Sequence, residues 1–248
     1  MTRPGSSADP QEIAKFEAMA SEWWSAVGKF RPLHMVNPCR LDYILDQVCA
    51  EFQRVRRDAK PLRELKLVDI GCGGGLICEP MARLGADVTG VDPSEASIGA
   101  ATVHAEQSGL DIRYLSSTAE SLVERGESFD VVLAMEVIEH VQDPGAFVDA
   151  CAALLTPGGL MICSTINRTA RSFVLAIIGA EYVLRWLPRG THDWRRFLAP
   201  AELDKLMVAG GLEPLDCKGL VFSPISRSWS ISFRDTSVNY VSTCTRPQ

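Results

Sequence analysis

Apolar and polar positions fall into two regimes along the chain. Residues 11–52 repeat apolar groups at helical spacing, with an interruption at 28–38, and predict a helical arm over 1–60 that could act as a lid. A basic, proline-bearing connector follows at 54–61, and residues 1–10 read as a frayed tail. From position 65 the rhythm changes. Short apolar runs at 65–70, 87–91, 112–115, 129–135 and 160–166 read as buried strands. Helices are predicted between them at 76–84, stopped by Gly85 as a C-cap, at 94–107 and at 144–155. Thr156, Pro157, Gly158 and Gly159 read as a turn, 200–209 as a helix, and 212–222 and 238–244 as two late strands.

Strand–helix alternation at this pace implies right-handed crossovers and a parallel sheet covered on both faces. The expectation is an α/β fold: one domain, a doubly wound and mostly parallel seven-stranded sheet, with a helical insertion after strand five. Residues 65–166 would form a cofactor-binding core, 167–199 the insertion, and 200–248 the closing helix and strands. Ligands of such sheets sit at the carboxyl ends of the strands, near the point where strand order reverses.

Composition narrows the function. A net charge of −6 disfavours wholesale binding to nucleic-acid phosphates. The eight cysteines include no C-x-x-C pair, which argues against a zinc ribbon or a disulfide framework and suits a reducing compartment. The first residues lack the apolar core of a secretory signal, and no apolar run reaches the ~18 residues of a membrane span.

The most informative segment is Val68-Asp69-Ile70-Gly71-Cys72-Gly73-Gly74-Gly75-Leu76. Glycines at 71, 73 and 75 let backbone approach a ligand closely. A dinucleotide fingerprint needs its third small residue at position 76, where this chain has Leu76. Asp92, at the end of the second predicted strand, can accept hydrogen bonds from ribose hydroxyls. A glycine loop and a ribose acid without dinucleotide spacing point to a nucleoside cofactor lacking phosphates, for which S-adenosylmethionine is the common choice.

Asp69 to Gly75, Asp92, Phe129-Asp130-Val131-Val132 and Leu155-Thr156-Pro157-Gly158-Gly159 together resemble the class I methyltransferases. Glu22-Trp23-Trp24, Pro32-Leu33-His34, Asn37-Pro38-Cys39-Arg40-Leu41, Met135 to Val141, Gly179-Ala180-Glu181-Tyr182, Gly190-Thr191-His192-Asp193 and Val238-Asn239-Tyr240 are similar to the ubiquinone-biosynthesis O-methyltransferases, over nearly the whole chain. That family methylates phenolic hydroxyls on a polyprenylated ring, namely 2-polyprenyl-6-hydroxyphenol and 3-demethylubiquinol. The resemblance implies cofactor contacts at Arg40, Gly71, Asp92 and Met135. Arg40 has a physical reason, since a guanidinium pairs bidentately with the carboxylate of the cofactor's methionine part; the alternative is a surface arginine on an early helix.

Glu136, Glu139 and His140 follow strand four at i, i+3 and i+4, one face if the segment is helical. Three readings stand here. His140 takes the phenol proton, with Glu139 or Glu136 setting its tautomer. The three residues bind a divalent cation, as described for related eukaryotic enzymes with magnesium. Or acids simply favour a helix start. His34 and His192 are weaker candidates on predicted loops beside the acceptor, Trp23, Trp24 and Phe30 could form an aromatic lid, and His104 reads as surface.

Between 168 and 196 six arginines face two acids, a net +4 that leaves −10 on the rest. Phe173, Ile177, Ala180, Leu184 and Leu187 would share one helix side. The segment reads as an interfacial helix on an anionic membrane or as a lid packed on the sheet. A lipid-tailed substrate favours a cytoplasmic enzyme, peripheral at the inner face of the cytoplasmic membrane, with other ubiquinone-biosynthesis proteins as further partners. The rivals are a class I methyltransferase with another small acceptor and a catalytically silent cofactor-binding scaffold.

Overall fold

A computed structural model describes residues 6–25, 27–175, 177 and 193–248. The N-terminal arm holds α1 (Pro10–Glu17), a 3-10 turn (Ala20–Glu22) and the long α2 (Arg31–Glu51). The core then alternates β1 (Lys66–Ile70), α3 (Cys78–Arg83), β2 (Asp87–Asp92), α4 (Glu95–Gln107), β3 (Arg113–Ser116), α5 (Ala119–Glu124), β4 (Phe129–Met135), α6 (Pro144–Ala153) and β5 (Leu155–Ile166). After a single turn, α7 (Ala170–Ser172), come α8 (Pro200–Ala209), β6 (Glu213–Ser223), β7 (Ser228–Ser232) and β8 (Asn239–Thr245).

These strands form one sheet in the order β3-β2-β1-β4-β5-β8-β6-β7. The first five are parallel, and β8, β6 and β7 add antiparallel. Strand order reverses between β1 and β4. The period of two sorts side chains between the faces. Val68, Val132, Ala134, Met161 and Cys163 pack with Leu122, Phe147 and Leu203 from α5, α6 and α8. Leu67, Val131, Leu133, Leu160 and Ile162 pack with Tyr43, Ile44 and Met81 from α2 and α3. Six of the eight cysteines are buried in this core and all eight are free thiols.

Four differences from the sequence expectations have local causes. The sheet has eight strands rather than seven, because the last stretch of β6 folds back on β7 as a hairpin. The 156–159 turn is absorbed into β5 as a bulge: Phe129 pairs with Leu155, and Val131 already with Leu160. The predicted break at 28–38 is largely helix. Pro32 occupies the first turn of α2, where its missing N–H costs nothing, and Pro38 is carried inside because Val36, Arg40, Tyr43 and Ile44 bury against the sheet. Finally, the described end of the tail is tied down: Ala8 bridges Val141, and Ser7 N–H donates to Glu120 Oε1 at 2.9 Å.

Candidate active site

At the β1/β4 reversal the chain encloses a cavity of about 850 Å³, within the range of ligand pockets. Its floor is the glycine loop after β1. Gly71, Gly73 and Gly75 all lie in the left-handed region, at φ +72°, +52° and +84°. A Cβ at Gly71 would run into Val137, and one at Gly73 into the Trp23 indole, so loop and roof meet at a distance only glycine permits.

Asp92 closes β2 beside this loop. Its Oδ2 accepts the Gly73 N–H at 3.0 Å and its Oδ1 the Ser94 N–H at 2.8 Å. Burial pushes its carboxyl up to about 6, against both of those hydrogen bonds. Asp69, one strand over, is fully enclosed and burial raises it to about 7, with the Cys78 thiol donating to Oδ2 at 3.4 Å.

On the other side of the reversal, Met135 ends β4 and lines the cavity. Glu136 follows at φ +59°, an uncommon conformation for a residue with a side chain. It is held there by its own N–H on Ser164 O (2.9 Å), by Ser164 Oγ donating to Oε1 (2.8 Å), and by Arg40. Arg40 reaches Glu136 Oε1 at 2.8 Å from α2 and is 4% exposed. Its Nε–H is buried without an acceptor. A buried orphan donor on a guanidinium is unfavourable alone and suits an incoming carboxylate. The surface reading of Arg40 is thereby set aside.

The Glu136, Glu139 and His140 group does not share a helical face. Only a 3-10 turn (Ile138–His140) forms, and the three side chains diverge. Glu136 turns to Arg40, while Glu139 is buried behind the cavity and accepts Thr165 Oγ1–H at 2.8 Å. Among the described residues no three His, Cys, Asp or Glu converge to hold a metal ion, so the expected magnesium ligand set does not fit this arrangement. Glu139 does not touch the cavity, and it is not the hydrogen-bond partner of His140 either.

A partner that His140 does have is Glu12 of α1, whose Oε2 lies 2.9 Å from Nδ1. His140 lines the cavity, and the ring of Phe16 meets it edge-on at 5.4 Å. Burial opposes a charged His140. The Glu12 hydrogen bond and the charges of Glu139, Glu12 and Glu136 outweigh it and raise its pKa above the usual value. Glu12 in turn is lowered to about 2: its burial works the other way, but the hydrogen bonds from His140 and Lys15 prevail.

Of the three aromatic residues expected as a lid, Trp23 and Phe30 line the cavity. Trp23 stacks on Phe30 (3.7 Å, 5°) and its Nε1–H donates to Ser97 Oγ at 3.1 Å. Trp24 Nε1–H donates to Gly74 O at 2.9 Å, and its ring stacks on His104 at 3.4 Å. His104 is therefore packed between Trp24 and Glu79 rather than plain surface. His34 lies in the first turn of α2, not in a loop, and bonds the Trp23 carbonyl through Nε2 at 2.8 Å. His192 lies outside the described residues, as do Arg185, Arg189, Ala180, Leu184 and Leu187.

Sequence reasoning missed Glu12, Phe16 and the far wall. There Leu220, Phe222, Pro224 and Trp229 of the β6–β7 hairpin extend the cavity away from the glycine loop. The spacing of Glu12 and Phe16 at i and i+4 was visible, but no motif marks it.

The chain was compared with known proteins. A family model described as a methyltransferase domain matches residues 42–216. The ubiquinone biosynthesis O-methyltransferase of Dinoroseobacter shibae is 59% identical, with all of both chains covered. That of Ruegeria pomeroyi is 61% identical over 98% of each. Among solved structures, magnesium protoporphyrin IX methyltransferase from Synechocystis with bound SAH superposes at TM-score 0.67, with 18% identity over 94% of each chain. A SAM-dependent methyltransferase from Thermotoga maritima gives 0.62, with 22% identity over 93% and 98%. With the α/β sheet, the glycine loop and relatives of this identity over the full length, the chain belongs to the ubiquinone biosynthesis O-methyltransferase family.

Proposed function

We propose that the protein methylates a phenolic hydroxyl of a polyprenylated ubiquinone precursor, with S-adenosylmethionine as donor. The observation that carries this reading is one cavity that joins Asp92, the glycine loop and the unsatisfied Arg40 Nε–H to His140 and an apolar far wall.

S-adenosylmethionine supplies an electrophilic sulfonium methyl group. Asp92 would accept the ribose hydroxyls, Arg40 the methionine carboxylate, and the Gly71 and Met135 backbone and side chain would complete the contact. His140 would take the phenol proton as the oxygen attacks the methyl carbon and the carbon–sulfur bond breaks, leaving S-adenosylhomocysteine and the methyl ether. Holding two reactants in line supplies much of the rate, and the aromatic lid keeps water out.

The hairpin side chains Leu220, Phe222, Pro224 and Trp229 suit an isoprenoid tail. Leu175 lines the same cavity, and with Phe173 and Val174 it stands 43–51% exposed, which supports contact with a lipid surface from the 168–196 segment. The charge contribution there is smaller than composition suggests. Arg168, Arg171, Arg195 and Arg196 are each paired with an acid: Glu202, Asp235, Asp193 and Asp9. Among the described residues no helix is long and apolar enough to cross a membrane.

Incubation with short-tailed catechols and labelled cofactor tests the reading: a labelled methyl ether and S-adenosylhomocysteine in equal amounts are expected. His140→Ala should lower kcat by about 10²–10⁴-fold with S-adenosylhomocysteine affinity retained. No product from any catechol would overturn the function, and a full-speed His140→Ala enzyme would overturn the base.

A further inference from the structure

We infer that Glu12 is a positioning residue, supplied by the N-terminal helix, that fixes the tautomer and orientation of His140. The inference rests on the reading of His140 as the base.

Helix α1 grips the imidazole at two points one helical turn apart. Glu12 Oε2 sits 2.9 Å from Nδ1, and Phe16, four residues on, packs edge-to-face at 5.4 Å with an interplanar angle of 89°. In a neutral imidazole one nitrogen carries the proton and the other the lone pair. A carboxylate on Nδ1 requires the proton there, which makes Nε2 the basic nitrogen. The alternative tautomer would set the Nδ1 lone pair against the Glu12 oxygen.

A purely mechanical role for Glu12 accounts poorly for these contacts, because the arm is already fastened elsewhere. Ala8 pairs with Val141, Ser7 N–H donates to Glu120 at 2.9 Å, and Arg196 bonds Asp9 at 2.8 Å. Trp23 and Trp24 tie the next stretch to Ser97 and Gly74. Glu12 is only 14% exposed, and a carboxylate taken from water is a poor clasp where an apolar side chain would pack without that desolvation. What it adds is direction at His140. The carboxylates nearer in sequence do not supply it, since Glu136 is held by Arg40 and Ser164, and Glu139 by Thr165.

The test combines spectroscopy with a split of kinetics from binding. The chain has four histidines, so ring-15N-labelled protein gives few signals, and the one lost in His140→Ala is assigned. In the wild type, at a pH where the ring is neutral, that signal should report a proton on Nδ1. Glu12→Gln keeps the shape of the side chain; its amide oxygen takes the Lys15 ammonium that Oε1 now accepts, which leaves an amide N–H facing Nδ1, and Glu12→Ala removes the partner. Both should move the proton to Nε2 and lower kcat by about 10- to 100-fold, part of what a general base contributes. Calorimetric affinity for S-adenosylhomocysteine should stay within about twofold, and circular dichroism should match the wild type. An unchanged tautomer, or a changed tautomer with unchanged kcat, would overturn the inference. So would weakened cofactor binding at full kcat, which would make Glu12 a clasp of the lid. If His140→Ala itself retains full turnover, the base reading fails and takes this one with it. If His140→Ala is inactive while both Glu12 variants run at full rate, only this inference fails.

Discussion

Replacing Asp92 by asparagine removes one negative charge and almost no volume. Each carboxylate oxygen already accepts one backbone N–H, from Ser94 and from Gly73. A carboxylate offers about four acceptor directions, so two remain, one on each oxygen, for the two hydroxyls of a ribose. In Asp92→Asn the amide nitrogen must face one of the backbone N–H groups, donor against donor, and at least one ribose hydrogen bond is lost. Hydrogen bonds to a charged group contribute about 1.5–3 kcal/mol each, equivalent to about 10- to 150-fold in affinity. Titration calorimetry with S-adenosylhomocysteine reads this directly. Wild-type affinity should also weaken as pH falls below about 6, because burial holds the carboxyl there and only the ionised form accepts from both hydroxyls. Asp92→Asn should lose that dependence. Asp69, raised to about 7 in the same cavity, is controlled for by repeating the pH series in Asp69→Asn. Unchanged affinity in a folded Asp92→Asn protein would refute the ribose assignment.

Asp69 yields a stability prediction of its own. Its folded pKa of about 7 lies above the ordinary 3.8, so its contribution favours the fold at acid pH and is lost as pH rises through about 7. Asp69→Asn should therefore raise Tm by several degrees at pH 8 and by much less at pH 4; equal shifts at both would contradict the buried-charge account. For the lipid surface, Val174→Glu should reduce co-sedimentation with anionic vesicles, since burying a side chain of this size contributes about 1.5–3 kcal/mol. Equal sedimentation of variant and wild type would move the contact elsewhere on the protein.

The parallel core was legible because fully buried strands alternate with capped helices at a regular pace. Asp92 and the glycine loop were legible because a close backbone approach leaves glycine no substitutes. Two kinds of feature escaped. Pro38 inside α2 and the bulge at Thr156–Gly159 follow from burial against the sheet, which overrides local turn chemistry. The Glu12–His140 contact joins residues 128 positions apart, and neither side chain carries a local signal of the other. The same distance explains the misassignment of Glu139. Sequence proximity suggested it as His140's partner, whereas the 3-10 turn, at three residues per turn, rotates neighbouring side chains by about 120° and points Glu139 and His140 different ways.

The position of β8 bears on how the protein is made. Asn239–Thr245 is synthesised after β6 and β7, yet in the sheet it lies between β5 and β6. Until it emerges from the ribosome, β5 presents an open edge and the β6–β7 hairpin has nothing on the sheet to join. The hairpin that walls the far end of the cavity is thus the last part to be fixed in place, by pairing with a strand that nascent-chain folding cannot use early. A chain cut after residue 238 would keep the glycine loop and Asp92 but leave the outer edge of β5 unpaired, a template for aggregation. Shortened forms of this protein should then fail by precipitation before they fail by losing the cofactor.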